Sequence, residues 1–412
     1  MSKLLIIGAG IGQVELLKKA KARGVWVAVA TKPGDYPCIK LADALCPFDI
    51  YDRDAIVAWA IDNGITAVMS DQNDLTMPTV AYVANKLGVP GNPFDGVWTY
   101  CNKNLFRSAC DKAGVPTPRH VQLVKAAIPE AFKDIPFPWI VKPEDSQSSI
   151  GVTKIANAAE FESAAKLALE KSRNGKAILE EFFTGREVVC EGMVCNGKYY
   201  HLAFGDRRYF DLPNLMIPSQ TIFATDLDQK HQDQIIQYET NLSKTIGLRF
   251  SILHSEYLIN EATSEIRIVE TGPRGGGVYI SSHLIPAATG IDITDLVLRF
   301  ALGEQVDMDA IFAVRQNGAS AYICFYLPIG TIVSVEGVDA IKANPNVIAS
   351  YLSGIEVGTK TEPMLYKGAR KGPILVRASS RSQLEEVING VKETLKIKVA
   401  TDNGSENSVV WG

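Results

Sequence analysis

The stretch Phe250-Ser251-Ile252-Leu253-His254-Ser255-Glu256-Tyr257-Leu258-Ile259, the polar run Asn260 to Ser264, and then Glu265-Ile266-Arg267-Ile268-Val269-Glu270-Thr271-Gly272-Pro273-Arg274-Gly275-Gly276-Gly277 read as two β-strands joined by a turn and followed by an arginine and three glycines. Antiparallel pairing conserves the sum of paired residue numbers, so a turn centred near Thr263 sets Glu256 opposite Glu270. Period-two alternation puts Ile252 and Leu258 on the face of Glu256, and Ile266 and Ile268 on the face of Glu270. Both acids thus interrupt an apolar face. Like charges opposite one another in a ladder destabilise it, with Cβ atoms only about 4.5 to 5.5 Å apart. A divalent cation between them removes the conflict, and carboxylates with waters and phosphate oxygens form the donor set Mg²⁺ prefers. The expectation is a Mg²⁺-nucleotide site; for the hairpin alone, a different register or two solvent-facing glutamates is the alternative.

Composition narrows the field. The chain has 412 residues, 46% hydrophobic and 21% charged, enough for two to four globular subdomains. Its net charge of −4 and lack of a dense Lys/Arg run argue against a nucleic-acid footprint and direct attention to small or phosphorylated ligands. No stretch approaches about 18 consecutive apolar residues, and the start Met1-Ser2-Lys3-Leu4-Leu5-Ile6-Ile7-Gly8 lacks a signal-peptide core, so no membrane partner and a cytoplasmic location are expected. The seven cysteines are scattered without metal-ligand spacing and read as reduced thiols.

Along the first hundred residues short β-runs (Leu4 to Ile7, Val25 to Ala30, Ala44 to Phe48, Ala67 to Ser70) alternate with amphipathic helical stretches, the pattern of a parallel doubly wound sheet. A helix is predicted over Lys103 to Ala113, ended by Gly114 and the extended Val115-Pro116-Thr117-Pro118. From Pro138 strands dominate, with helices over about 158–171, 227–246, 292–302 and 382–395 and a polar tail from Asp402.

Four segments carry further chemistry. Gly8-Ala9-Gly10-Ile11-Gly12 follows the first strand, where glycines let a helix N-terminus approach an anion. It departs from the dinucleotide fingerprint, because the third glycine comes too early and Thr31-Lys32 stands where an acid belongs. Lys142 ends an apolar strand and precedes a small polar loop with Ser146, Ser148 and Ser149, suited to covering phosphates. Glu180-Glu181-Phe182-Phe183-Thr184-Gly185-Arg186-Glu187 is a strand edge and turn that can meet a purine, with an acid beyond it for ribose hydroxyls. Asp206-Arg207-Arg208-Tyr209 follows a predicted strand end, and arginine matches carboxylates bidentately.

In this order the motifs resemble the ATP-grasp superfamily of carboxylate-amine ligases, from about residue 1 to 395. The resemblance implies an α/β and α+β fold: an N-terminal Rossmann-like pre-ATP-grasp domain over 1–102, an ATP-grasp domain over 103–310 and a C-terminal α+β subdomain over 311–412. Two α+β lobes, a small lid lobe at about 119–190 and a larger one at about 191–310, clamp ATP. Position by position it implies Lys103 and Lys142 as phosphate-binding lysines, with Ser146, Ser148 and Ser149 in the covering loop. Glu180, Glu181 and Phe183 match the adenine hinge, Glu187 the ribose acid, Glu256 and Glu270 the Mg²⁺ ligands (Mn²⁺ as substitute), and Arg274 the catalytic arginine on the acyl phosphate. Gly8, Gly10, Arg207, Arg208, His254, Gly275 and Gly276 are substrate-side candidates. One departure stands out: Gly272 replaces the asparagine of the usual Glu-x-Asn-Pro-Arg. The implied activity is an ATP-dependent ligase joining small-molecule carboxylate and amine substrates through an acyl phosphate and releasing ADP and phosphate; apart from the resemblance, a homodimer is the usual expectation for a soluble homo-oligomer, with no surface stripe that proves one. Amino-acid, biotin-carboxylase-like and purine-precursor branches all fit. An ATP-binding protein without turnover and an NADP-linked oxidoreductase using the N-terminal glycines are the readings from other classes.

Overall fold

Alternating apolar β-runs and helices fold, in a computed structural model describing residues 2–146, 150–212, 216–277, 279–401 and 404–412, into four sheets. The first is parallel: Lys3–Ile7 lies centrally between Trp26–Ala30 and Ala67–Met69, with Ala44–Cys46 at one edge. Leu4 and Ile6 enter one core and Leu5 and Ile7 another, so both faces are buried, as a parallel sheet requires. Next come two helices. Phe94–Cys101 was not foreseen, while Lys103–Ala113 has its expected bounds. Asn102 caps the latter by accepting from the Leu105 N–H at 3.0 Å, and Gly114, at φ +67°, ends it.

A small antiparallel sheet follows, with strands in the order His120–Leu123, Ala177–Glu181, Trp139–Pro143, Thr153–Ile155 and the helix Phe161–Lys171 packed on it around Trp139, Phe132 and Phe161. The largest sheet begins with the hairpin strands Glu265–Gly272 and Phe250–Asn260. It continues through Arg186–Cys195, Lys198–Tyr209, Pro218–Phe223, Ala319–Tyr326, Lys371–Ala378 and Val347–Ser350. The helix Gln229–Ile246 packs on one face of its hairpin end, and the helices after the glycine run, Ile285–Thr289 and Ile293–Ala301, pack on the other.

This continuity moves two expected boundaries. Arg186–Cys195 is one strand of the large sheet, so a division at 190/191 would cut a ladder, and the lobes part instead at the turn around Thr184 and Gly185. Residues 311–412 supply further strands to the same sheet, because the edge of Pro218–Phe223 pairs with Ala319–Tyr326 rather than ending in solvent. The strand predicted to end before Asp206 runs from Lys198 to Tyr209, so Arg207 and Arg208 lie within it.

Candidate active site

The hairpin pairs Glu256 with Glu270, but its register shifts by one residue between Glu256 and Tyr257, so that Tyr257 opposes Ile268 and Val269 is extra. This β-bulge corrects the face expected for Ile266 and Ile268. Both isoleucines join Tyr257 and Ile259 in the core, while Glu270, of the same parity, turns to the open cleft beside Glu256. The bulged Val269 carbonyl accepts from Arg107 Nη2 at 2.7 Å.

Arg107 was missed in the sequence. One turn after Lys103 on the same helix face, it is 1% exposed, and its Nε donates to Glu180 at 2.7 Å. Lys142 reaches the other Glu180 oxygen at 2.5 Å. Burial works against ionising Glu180, yet the two cations outweigh it and hold its carboxyl down at about 2. Lys103 Nζ donates to the Ser146 carbonyl at 2.6 Å; burial lowers its pKa, with Glu270 opposing and Lys142 adding to the shift. The loop carrying Ser146 is rooted at the buried Glu144, whose carboxylate accepts from the amides of Asn102 (2.9 Å), Gln122 (3.2 Å), Asn104 and Asn174. Ser148 and Ser149 lie outside the described residues.

Across the cleft Arg207 donates to Glu187 at 2.6 Å and also binds Glu256, while Tyr209 donates to Glu187. Burial raises the Glu187 pKa, whereas Arg207 and His254 overcome burial and hold the Glu256 carboxyl well below the ordinary range. His254 contacts the fully buried Glu191 through Nδ1 and lies 3.6 Å from Glu256 through Nε2. A Cβ on Gly276 would come within 2.7 Å of Glu191 and 2.9 Å of His254, so glycine there permits the loop to cover this pair.

Arg274 is clamped by Asp74, on the short turn after the N-terminal sheet's strand Ala67–Met69, through Nε and Nη2 at 2.9 and 2.8 Å. Beside it the Gly275 N–H and Ser281 hydroxyl donate to Asp71, both at 3.1 Å. The glycine at 272 now has a physical reason. A Cβ there would lie 2.3 Å from Asp74 Oδ1 and 3.0 Å from Arg274, so the space a side chain would need is filled from another domain.

Other candidates stand further off. Arg208, adjacent to Arg207 in a strand, takes the opposite face and reaches Glu385 at 3.8 Å; the structure does not bring it to the cleft. Glu181 is held by Arg119 at 2.6 Å and by Arg267, whose guanidinium lies 4.7 Å from the Phe183 ring. The N-terminal glycine turn is closed by its own chain: Gln13 accepts from the Gly10 N–H at 3.0 Å and donates to the Asp71 carbonyl, and Gly8 takes φ +91° beside Thr76. Asp74, Glu191 and Tyr209 join Arg107 as site residues the sequence did not single out. Only its position inside the apolar stripe of Phe106 and Cys110 could have marked Arg107.

Lys103 and Glu270 share a cavity of about 310 Å³ with Asp74, Trp98 and Tyr100. Among the described residues no three His, Cys, Asp or Glu side chains cluster as a ready-made metal cage; Glu256 and Glu270 are paired in the hairpin. No described helix is long and apolar enough to cross a membrane.

Residues 135–282 match the ATP-grasp domain family. The chain is 22% identical over 369 residues to an alanine–anticapsin ligase of Bacillus amyloliquefaciens, covering 80% of this chain and 76% of that one. Among solved structures it superposes on an L-amino acid ligase from Bacillus licheniformis with a TM-score of 0.79 at 21% identity, covering 96% and 98% of the two chains. It also superposes on the biotin carboxylase domain dimer of Hydrogenobacter thermophilus 2-oxoglutarate carboxylase, bound to MgADP, ADP and bicarbonate, with a TM-score of 0.73 at 18% identity over 100% and 91%. At these identities the structural likeness is one of fold.

Proposed function

Because residues 135–282 match the ATP-grasp domain family, we infer that the chain is an ATP-dependent ligase that joins a small-molecule carboxylate to an amine through an acyl phosphate. The observation that carries this reading is that Lys103 lines one cavity with Glu270, whose hairpin partner is Glu256, while the charge of Lys142 acts on Lys103 and Arg274 is fixed at the end of the same hairpin.

A carboxylate resists an amine until one oxygen becomes a good leaving group, and the γ-phosphoryl of ATP provides it. Catalysis is then mostly positioning and charge stabilisation. Lys103, on a capped helix, and Lys142, on a strand, would hold the phosphates. Lys142 must exchange Glu180 for a phosphate oxygen, while Arg107 keeps that carboxylate paired. The cleft fits Mg²⁺: Glu270 is exposed and Glu256 lies opposite it, so these two would hold the ion, which when bound neutralises phosphate charge. Arg207 then retains Glu187 as its second anionic partner. Arg274, oriented by Asp74, would stabilise the transferring phosphoryl and the tetrahedral adduct that collapses to amide and phosphate. A cytoplasmic enzyme, active as a homodimer on small molecules, completes the proposal.

The test is ADP and phosphate release with pools of carboxylates and amines. Release that needs both pools and Mg²⁺ supports the ligase. MgATP binding without release under any pairing would favour a nucleotide sensor, and nicotinamide dinucleotide binding without ATP binding would overturn the assignment.

A further inference from the structure

Two arginines at the cavity beside Glu270 have no anion. Arg53, on the helix Arg53–Asp62 of the N-terminal domain, and Arg173, on the loop after the small lobe's helix Phe161–Lys171, both line it. Among the described residues neither guanidinium has a carboxylate within ion-pair distance. Arg53 Nε donates to the Thr79 hydroxyl at 3.2 Å, with its guanidinium 5.2 Å from the Phe94 ring and 5.9 Å from Trp98. Arg173 lies 3.4 Å over the Tyr51 ring and bonds its hydroxyl. Burial holds the Arg53 guanidinium below its ordinary range, and the like charge of Arg173 adds to the shift. Asp145, which lines the same cavity, accepts from the Arg173 backbone N–H at 3.2 Å and not from its guanidinium, so the two guanidinium groups remain open to an anionic ligand.

The remaining walls limit the ligand. Leu75, Pro78, Trp98, Tyr100 and Phe106 present apolar and aromatic surface, and about 310 Å³ is at the small end for ligand pockets, enough for one amino-acid-sized molecule. Arg53 and Tyr51 also line an open surface groove, which puts the cations at the outer end, whereas Lys103 and Glu270 belong to the reaction cleft. A carboxylate held by two arginines is a spectator, so the group such a molecule offers to the acyl phosphate is its amine.

We propose that this cavity binds the amine substrate as an α-amino acid with an apolar or aromatic side chain, its carboxylate bridged between Arg53 of the N-terminal domain and Arg173 of the small lobe. The proposal rests on the ligase reading and adds the substrate class to it. Its amino nitrogen attacks the acyl carbon, phosphate leaves, and the nitrogen's surplus proton passes to solvent or the departing phosphate; the product keeps a free carboxylate. Because the anion joins two domains, binding also fastens the small lobe over the cleft.

Three probes isolate the carboxylate: L-phenylalanine, 3-phenylpropionate and phenethylamine, titrated calorimetrically into the full chain without ATP. The first two should bind, with phenethylamine at least tenfold weaker. Arg173→Ala, on an exposed loop, and Arg53→Ala should each weaken L-phenylalanine binding at least tenfold, and raise its KM in ADP release, while MgATP affinity stays within twofold. Arg173→Lys should recover part of the loss. Phenethylamine binding as tightly as L-phenylalanine, no binding of any probe, or wild-type L-phenylalanine affinity in Arg173→Ala would overturn the proposal. A fall in MgATP affinity alone would assign the arginines to the nucleotide and overturn it too. If the probes bind as expected but no carboxylate yields ADP, the anion site stands and the ligase reading fails.

Discussion

Replacing Glu180 by glutamine should destabilise this protein more than replacing either cation that holds it. Glu180 is 4% exposed in its side chain and lies between Arg107 at 2.7 Å and Lys142 at 2.5 Å. Its carboxyl is lowered from 4.5 to about 2, which at about 1.4 kcal/mol per pH unit amounts to about 3 kcal/mol of pairing free energy. Glu180→Gln removes that term and leaves two buried cations facing one another, so a cost of about 3 to 5 kcal/mol is expected. Lys142→Met leaves the Arg107–Glu180 pair intact and should cost about 1 kcal/mol. Arg107→Met falls between, because the Val269 carbonyl also loses its donor, a further loss of about 1 to 3 kcal/mol. Urea unfolding at pH 7, followed by circular dichroism, gives the order. The double variant Glu180→Gln/Lys142→Met should recover part of the loss by removing one of the stranded charges. The sign in acid is fixed as well. A depressed carboxyl stabilises fully above the unfolded value of 4.5, and that contribution fades as pH falls through about 2, so wild type and Glu180→Gln should converge over that window. A Glu180→Gln protein within about 1 kcal/mol of wild type, or more stable than Lys142→Met, refutes the reasoning.

Glu270→Gln should lower Mg²⁺-dependent ADP release at least about 100-fold while leaving the circular dichroism spectrum native; wild-type turnover would discard Glu270 as a metal ligand. Gly272→Asn restores the residue common in the superfamily but must displace Asp74 from 2.3 Å, so it should cost about 1 to 3 kcal/mol and loosen Arg274, and an unchanged melting temperature and kcat would contradict the packing account. Glu239 accepts from the Tyr257 hydroxyl at 2.6 Å, and its burial pushes its carboxyl up to about 7. A carboxyl raised on folding weakens the fold as pH rises from 4.5 through about 7, so Glu239→Gln should gain stability on wild type above pH 7 and lose that advantage below pH 5. Parallel stability profiles would show that the group does not titrate. Arg208→Ala should leave ADP release unchanged and stability within about 0.5 kcal/mol, and a tenfold fall in kcat would return Arg208 to the site.

The two hairpin strands were legible from the turn chemistry at Asn260 to Ser264, but the pairing beside that turn, Asn260 with Glu265, is one residue off the expected register, and Glu256 meets Glu270 only beyond the bulge; the helix Lys103–Ala113 was legible because both its ends carry cap residues. The bulge was not, since the Val269 carbonyl it leaves outside the ladder accepts from a guanidinium more than 160 residues away. Phe94–Cys101 was hidden by its proline and glycine; a Cβ on Gly96 would press on Leu248 at 3.0 Å, so that glycine answers to packing rather than to a turn. Arg207 and Arg208 looked alike until the strand proved long enough to turn them to opposite faces. Lys103 and Glu270 line one cavity, while Asp74, which clamps Arg274, and Glu191, which holds His254, carry no motif and come from elements remote in the chain.

The single guanidinium of Arg107 acts as a pivot. It holds Glu180, the penultimate residue of the small lobe's last strand, and the Val269 carbonyl, one residue before the cleft-facing Glu270. A lobe pinned at that point cannot slide along the large sheet; it can only swing about it. Any swing about that point moves the far end of the lobe, where Ser146 and Arg173 sit, more than the strand end that carries Glu180.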